Sequence, residues 1–395
     1  MQQTLSPKRI TSIDLLRGLV MIIMALDHTR DYFHKPAYLY DPTDLAHTTP
    51  AIFFTRWITH FCAPVFVFLA GTSAFISGQR KTKKELSIFL LKRGVWLMLL
   101  ELTLVNFSWF FNPTFSLLVL QVIWVLGLSM VILSALIHLP LKLIFAFGLL
   151  LVCSHNLLDN VTVEGNNLQG WGWALLHKFS FFKWNGTTVA VGYPIIPWAG
   201  VMALGYCMGK IYQQSFDAAK RKRILMWTGI ICIALFFIVR YSNLYGDPLK
   251  WERQSTAFYS FLSMLNTNKY PPSLLYLLMT IGPSLLFLSL SENIAEKFSA
   301  VTSTYGRVPL FYYVAHVFVL HFFAMLAAQF TGYHWQDMIF KTTWITLQPS
   351  LKGYGFSLAV VYIIWIAVVI VLFPFCKKYD AYKMSNKDKW WLSYL

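Results

Sequence analysis

Apolar residues run along this chain in long blocks, separated by brief polar and basic connectors. Ten blocks approach the ~20 residues that a helix needs to cross a bilayer. They lie at 12–33, 59–78, 88–110, 115–138, 141–158, 192–212, 223–240, 272–290, 308–328 and 357–376, with the fourth and fifth divided at Leu139-Pro140. The pattern predicts an all-α polytopic integral membrane protein. About ten transmembrane helices would form one bundle, with residues 1–395 making a single membrane domain. No internal repeat, low-complexity run or soluble domain interrupts the blocks.

The connectors set the orientation. With the N-terminus in the cytoplasm, Arg80-Lys81-Thr82-Lys83-Lys84, Lys92-Arg93 and Lys220-Arg221-Lys222-Arg223 all fall on the cytoplasmic side. The tail with Lys377, Lys378, Lys383, Lys387 and Lys389 joins them, and both termini become cytoplasmic. Of 33 basic residues, 21 are then cytoplasmic and 11 outside, which satisfies the positive-inside rule; the inverted arrangement violates it. Three outer segments, 34–58, 159–191 and 241–271, are long, polar and aromatic. Loops of that length are functional or disordered, and their aromatic content argues against disorder. Trp171, Trp173 and Trp184 suit stacking on sugar rings, and equally an interfacial belt.

Composition agrees with a membrane location. The 395 residues are 57% hydrophobic and 13% charged, against about 25% charged in soluble proteins. The net charge of +16 follows from the basic connectors, so nucleic acid is not an expected partner. The first span runs past signal-peptide length without a small-residue cleavage site. Cys62, Cys153, Cys207, Cys232 and Cys376 lie in or beside apolar spans without paired spacing, and read as apolar fillers rather than disulfides or metal ligands. Asn160-Val161-Thr162 and Asn185-Gly186-Thr187 match the glycosylation sequon, which matters only in a secretory-pathway host.

Candidate chemistry starts in the first span. Asp14, Arg17 and His28 return to nearly the same azimuth at about 100° per residue. Ionisable groups inside a membrane are costly and commonly face a protein interior or a watery path. Asp14 and Arg17 can pair, either to hold the helix in the bundle or to serve a ligand. His28 lies 14 residues further on, ~21 Å along the helix, and suits a general base. Asp27 and Asp31 flank it on other faces, and Arg30 reads as an interfacial anchor. His60 opens the second span, and a hairpin brings it to the depth of His28. A two-histidine metal site lacks any HxxxH, HxxE or cysteine partner, so no metal is expected. Glu101 and Gln121 sit within the third and fourth spans, where each suits an interhelical hydrogen bond, and Glu101, the costlier group to bury, is also a site candidate. His316, one turn beyond Tyr312, is a site candidate or a satisfied core histidine. Arg307 suits either the cytoplasmic edge or a phosphate group. There is no GxGxxG, Walker A or GxSxG motif.

These residues carry a resemblance. Arg9-x4-Asp14-x2-Arg17-Gly18, then His28, then Pro64-Val-Phe-Val-Phe-Leu-Ala-Gly71 resemble the transmembrane acyltransferases related to heparan-alpha-glucosaminide N-acetyltransferase, with the bacterial branch the nearest match. Tyr193-Pro194-Ile-Ile-Pro197-Trp198, Tyr270-Pro271-Pro272-Ser273 and Gly306-Arg307-Val-Pro309 extend it. The resemblance implies transfer of an acyl group, acetyl foremost, from cytoplasmic acyl-CoA to an amine or hydroxyl of a sugar or glycan at the outer face. It places the chain in a lipid bilayer, the bacterial inner membrane, and a homodimer is compatible with it. Under it, Arg80, Lys81, Lys84, Arg93 and Arg307 are candidates for the coenzyme A phosphates. Asp14 and Arg17 would line the path of the pantetheine arm, with His28 as base and His60 as second choice. Asp27, Asp41, Asp44, Glu101 and His316 are the candidates for binding the acceptor. In lysosomal relatives the proposed catalytic histidine lies in the first outer segment, which here offers His34 and His47.

A rival reading from the residues is a transporter or flippase for a polar or lipid-linked substrate, with Asp14, Arg17 and Glu101 coupling ions. Against it, no inverted repeat or matched pair of broken spans is visible. A structural scaffold fits poorly with so many ionisable groups inside spans.

Overall fold

A computed structural model describes residues 10–386 apart from 293 and 295, together with 389 and 392. Arg9 of the opening motif and Lys387 of the basic tail fall outside them. The first half runs α1 (Thr11–Phe33), α2 (Pro50–Thr59), α3 (Cys62–Gly78), α4 (Lys83–Leu100), a π-turn (Glu101–Val105), α5 (Asn106–Phe110), β1 (Leu117–Leu120), α6 (Val122–Leu136), α7 (Leu141–Ser154) and α8 (Leu168–Leu176). After a hairpin of β2 (Ser180–Trp184) and β3 (Thr187–Val191) come α9 (Ile195–Met208), α10 (Ala218–Ser242), α11 (Ala257–Leu265), α12 (Leu274–Ser291), α13 (Glu296–Arg307), α14 (Pro309–Phe330) and α15 (Leu358–Ser385).

Each of the ten apolar blocks contains helix, so the chain is mostly helical as expected. Among the described residues, six helical stretches are long and apolar enough to cross a membrane: Pro50–Gly78, Leu141–Leu158, Ala218–Ser242, Leu274–Ser291, Pro309–Phe330 and Leu358–Ser385. The block expected to be helical from 115 to 138 opens instead as β1. The helix before it ends in left-handed backbone at Phe111, and Phe115 has positive φ as well, so the chain turns and leaves Leu117–Leu120 extended. β1 pairs in parallel with β3, and β3 pairs antiparallel with β2, giving a sheet of order β1-β3-β2. The β2–β3 turn is Asn185-Gly186, both with positive φ, the conformation that two-residue hairpins favour. The fold is therefore not purely α.

Capping chemistry fixes several helix starts. Thr82 and Glu85 form a reciprocal capping box at α4, and the Asp217 side chain accepts from Lys220 N at α10. Between helices, small residues permit close approach, as packing in lipid requires where no hydrophobic drive operates. α1 lies against α3, α13, α14 and α15. At its crossing with α13, a Cβ on Gly306 would fall 2.0 Å from the Asp14 carbonyl oxygen, and one on Gly18 would fall 1.8 Å from that of Thr302. A single contiguous apolar core extends from α1 to α15, and a smaller cluster lies under the sheet around Phe182 and Val191. All five cysteines are free; Cys62 and Cys376 are buried, whereas Cys153 is exposed.

Candidate active site

At one end of the bundle lies a cavity of about 770 Å³, within the range of small-molecule sites. The last turns of α1 supply Asp27, His28, Arg30 and Asp31. α2 adds Arg56, the sheet adds Leu117, Val119 and Ala190, and later segments add Tyr193, Lys269, Tyr270, Tyr313 and Trp344.

His28 is oriented by hydrogen bonds that also fix its tautomer. A carbonyl only accepts, so His316 Nδ1 carries the proton in its 2.7 Å bond to the Tyr312 carbonyl. A neutral His316 then has a bare Nε2, which accepts from His28 Nδ1 at 2.7 Å. His28 therefore donates from Nδ1 and keeps its lone pair on Nε2, an assignment that follows from the partners. The two imidazoles are nearly parallel, 4° between planes. The edge of Trp109 closes on His28 with centroids 4.6 Å apart, and Trp109 is itself held by its Nε1–H donating to Tyr313 Oη at 3.0 Å. Packing supports the relay as well as polarity: Tyr313 stands edge-on to both rings, and Tyr312 stacks on His316 with centroids 4.9 Å apart.

Beside His28 sits a charged group that the sequence did not assemble. Arg56 Nη1 reaches both oxygens of Asp27, at 2.9 and 2.8 Å. Arg30, only 3% exposed, bridges Asp27 at 2.8 Å and Asp31 at 2.6 Å. Lys269 Nζ stands 3.9 Å from Asp27. Charges this deep are tolerable only when paired, and the pairing here spans three chain segments.

The loop carrying Lys269 and Tyr270 is anchored by a second buried pair. Arg240, at the end of α10, donates from Nε to the Met264 carbonyl at 3.0 Å and from Nη2 to that of Ser263 at 2.9 Å, with Leu249 as a further acceptor. Asp247 accepts from Leu249 N at 2.7 Å, Asn268 N at 2.9 Å and the Ser273 hydroxyl at 2.6 Å. Loop 241–271 is thus tied down by its own backbone rather than disordered.

The remaining sequence candidates fall in several places. Asp41 lines the cavity, where its carboxylate accepts from Thr43 N and Oγ1 at 2.7 Å each. Asp44 is half-buried and caps its own loop through Ala46 N and His47. His60 is buried and packs on Tyr276, whose hydroxyl donates to the His60 carbonyl at 2.8 Å. Asp14 and Arg17 do not line the cavity: Arg17 donates to Ser73 Oγ at 2.8 Å and to the Gly306 carbonyl at 3.3 Å, tying α1 to α3 and α13. Glu101 is buried and does not line the cavity, its Oε2 accepting from Trp124 N at 3.0 Å at the start of α6. Arg80, Lys81 and Lys84 are exposed beyond the far end of α3, ~25 Å along that helix from Cys62 at the cavity. Arg93 is half-buried on α4, and Arg307 pairs with Asp380 at 2.6 Å. None of these five lines the cavity. Among the described residues no cluster of three His, Cys, Asp or Glu side chains is placed to hold a metal.

Comparison with known protein families matches residues 9–244 to the catalytic region of heparan-alpha-glucosaminide N-acetyltransferase, more than half of the 395 residues. The chain belongs to this family. Comparison with curated proteins gives no match. Membership of the heparan-alpha-glucosaminide N-acetyltransferase family makes the protein a membrane acyltransferase by kind. The matched region contains Asp27, His28 and Arg56, whereas Lys269, Tyr313 and His316 come from the part beyond it.

Proposed function

We propose that the protein transfers an acyl group, acetyl foremost, from an acyl-CoA to an amine or hydroxyl of a sugar, with His28 as the general base. The observation that carries this is the hydrogen-bond series Tyr312 carbonyl, His316, His28, which leaves the His28 Nε2 lone pair as the basic atom of a cavity-lining side chain. The acceptor gives its proton to Nε2 as its nitrogen or oxygen bonds to the thioester carbon. The carbonyl π pair moves onto oxygen, and the resulting oxyanion lies in a cavity lined by the Arg56 and Lys269 cations. Collapse of this intermediate breaks the C–S bond, and the departing thiolate takes the proton back from His28. His316 steadies the imidazolium between these steps by accepting from Nδ1–H throughout.

We place the cavity on the outer side, with both termini cytoplasmic, on the strength of the basic connectors. The transporter alternative has no comparable support from the family match. The test is purified protein in detergent given radiolabelled acetyl-CoA and a panel of amino sugars. Label moving to a sugar supports the reading, and the absence of both transfer and thioester hydrolysis with acetyl and longer acyl donors alike overturns it.

A further inference from the structure

The charges around the cavity do not balance. Lys352 and Asp41 line it at exposed positions and offset each other; deeper in, Arg30, Arg56 and Lys269 stand against Asp27 and Asp31, an excess of one positive charge when His28 is neutral. Arg56 commits only Nη1 to Asp27, and its Nε and Nη2 have no acceptor among the described residues. Arg30 leaves Nε and Nη1 buried without partners. Lys269 has no carboxylate nearer than the 3.9 Å contact with Asp27. A low-dielectric site holding one uncompensated cation favours a ligand that brings one negative charge.

The rim has the opposite character. Leu39, Leu347, Phe179 and Phe181 line the cavity yet are 51%, 64%, 39% and 49% exposed, so they stand at its mouth. Phe179 and Phe181 would suit stacking on a sugar, but Leu39 and Leu347 offer it nothing. Together the four make an apolar lip leading to a cationic floor beside His28.

We infer that the acceptor is an anionic amphiphile: a sugar joined through a phosphate-like anionic group to a lipid tail. The tail lies over the apolar lip, the anion meets Arg56 and Lys269, and the sugar amine or hydroxyl is held at His28. This rests on the acyl-transfer reading and names the substrate class of the same cavity. It also suits the surroundings, since a lipid-anchored substrate reaches a cavity in a membrane protein by diffusing within the bilayer.

The test is binding to the purified protein in a neutral detergent, read as thermal stabilisation. Three probes separate the features: dodecyl phosphate has charge and tail, glucosamine 1-phosphate has a sugar and charge without a tail, and dodecyl glucoside has a sugar and tail without charge. Dodecyl phosphate is expected to bind at least tenfold tighter than either of the others. Lys269→Gln should remove most of its advantage over dodecyl glucoside, and Leu347→Ser most of its advantage over glucosamine 1-phosphate. Each variant is first checked for an unchanged melting temperature without ligand, with Phe181→Ser as a substitute for Leu347→Ser. Glucosamine 1-phosphate binding as well as dodecyl phosphate would overturn the lipid tail, and dodecyl glucoside binding as well would overturn the anion. Because binding is read without turnover, transfer to free amino sugars with no probe preference sinks this inference alone. A clear preference with neither transfer nor acyl-CoA hydrolysis sinks the acyltransferase reading alone.

Discussion

Replacing His316 by leucine tests how far His28 depends on its support. The substitution removes the Nε2 that accepts from His28 Nδ1 at 2.7 Å and leaves that N–H unpaired at a residue only 8% exposed. A buried donor left without a partner costs about 1–3 kcal/mol. The tautomer with the proton on Nε2, useless as a base towards the cavity, then becomes competitive. At about 1.4 kcal/mol per tenfold in rate, kcat should fall roughly five- to 150-fold. KM should hold within about twofold, because His316 does not line the cavity. His316→Gln, whose amide oxygen can accept the same bond, should recover part of the loss. The assay is label transfer from acetyl-CoA at saturating and limiting acceptor, with melting temperature as the folding control. A folded His316→Leu protein with unchanged kcat, or one whose loss lies in KM alone, would refute the orienting role.

Other consequences concern the frame that holds the site. Gly306→Ala should lower the melting temperature sharply, at a cost of about 1–3 kcal/mol for forcing α1 and α13 apart. Gly172→Ala, where the added Cβ meets nothing within 4 Å, should leave it unchanged. Arg240→Met removes the guanidinium that gathers the loop carbonyls and leaves Asp247 buried beside it. A destabilisation of about 3–5 kcal/mol is expected, with faster protease cleavage within 241–271 and weak transfer as Lys269 and Tyr270 shift. Burial, with Arg30 nearby, brings His34 just beyond α1 down from its usual 6.5 to about 4. The unfolded chain therefore binds a proton here that the folded one refuses between those values, and stability falls as pH drops from 6.5 towards 4. The full difference is about 3 kcal/mol, and His34→Gln should flatten the unfolding profile over that window.

The helices were legible because a 20-residue apolar run has few alternatives in a membrane protein. β1 was not, because Leu-Leu-Val-Leu buried on both faces has no period to distinguish it from a helix. The hairpin beside it carried a readable signal: Asn185-Gly186 between alternating residues is a two-residue turn as well as a sequon. His28 could be singled out because it shares a helix stripe with Asp14 and Arg17 inside an apolar block. Its partner, 288 residues away, could be weighed only as one of several buried histidines. Arg30 read as an interfacial anchor, and it is instead among the most buried side chains of the site. Arg56, Lys269 and the Arg240–Asp247 anchor were missed for a common reason. They belong to loops or helix ends where charge is ordinary, and only tertiary contact makes them unusual. Asp14 and Arg17 drew notice as intramembrane charges, yet the close crossing of α1 and α13 explains Arg17 through backbone and hydroxyl acceptors.

The central claim is that His28 removes the acceptor's proton during acyl transfer. The most direct measurement compares label transfer from radiolabelled acetyl-CoA by the purified wild type and His28→Ala, each shown to be folded by melting temperature. Wild-type transfer to an amino sugar, falling at least about a thousandfold in the variant with little change in KM, is the predicted result. Transfer that survives the loss of His28 would contradict it and move the base elsewhere in the cavity.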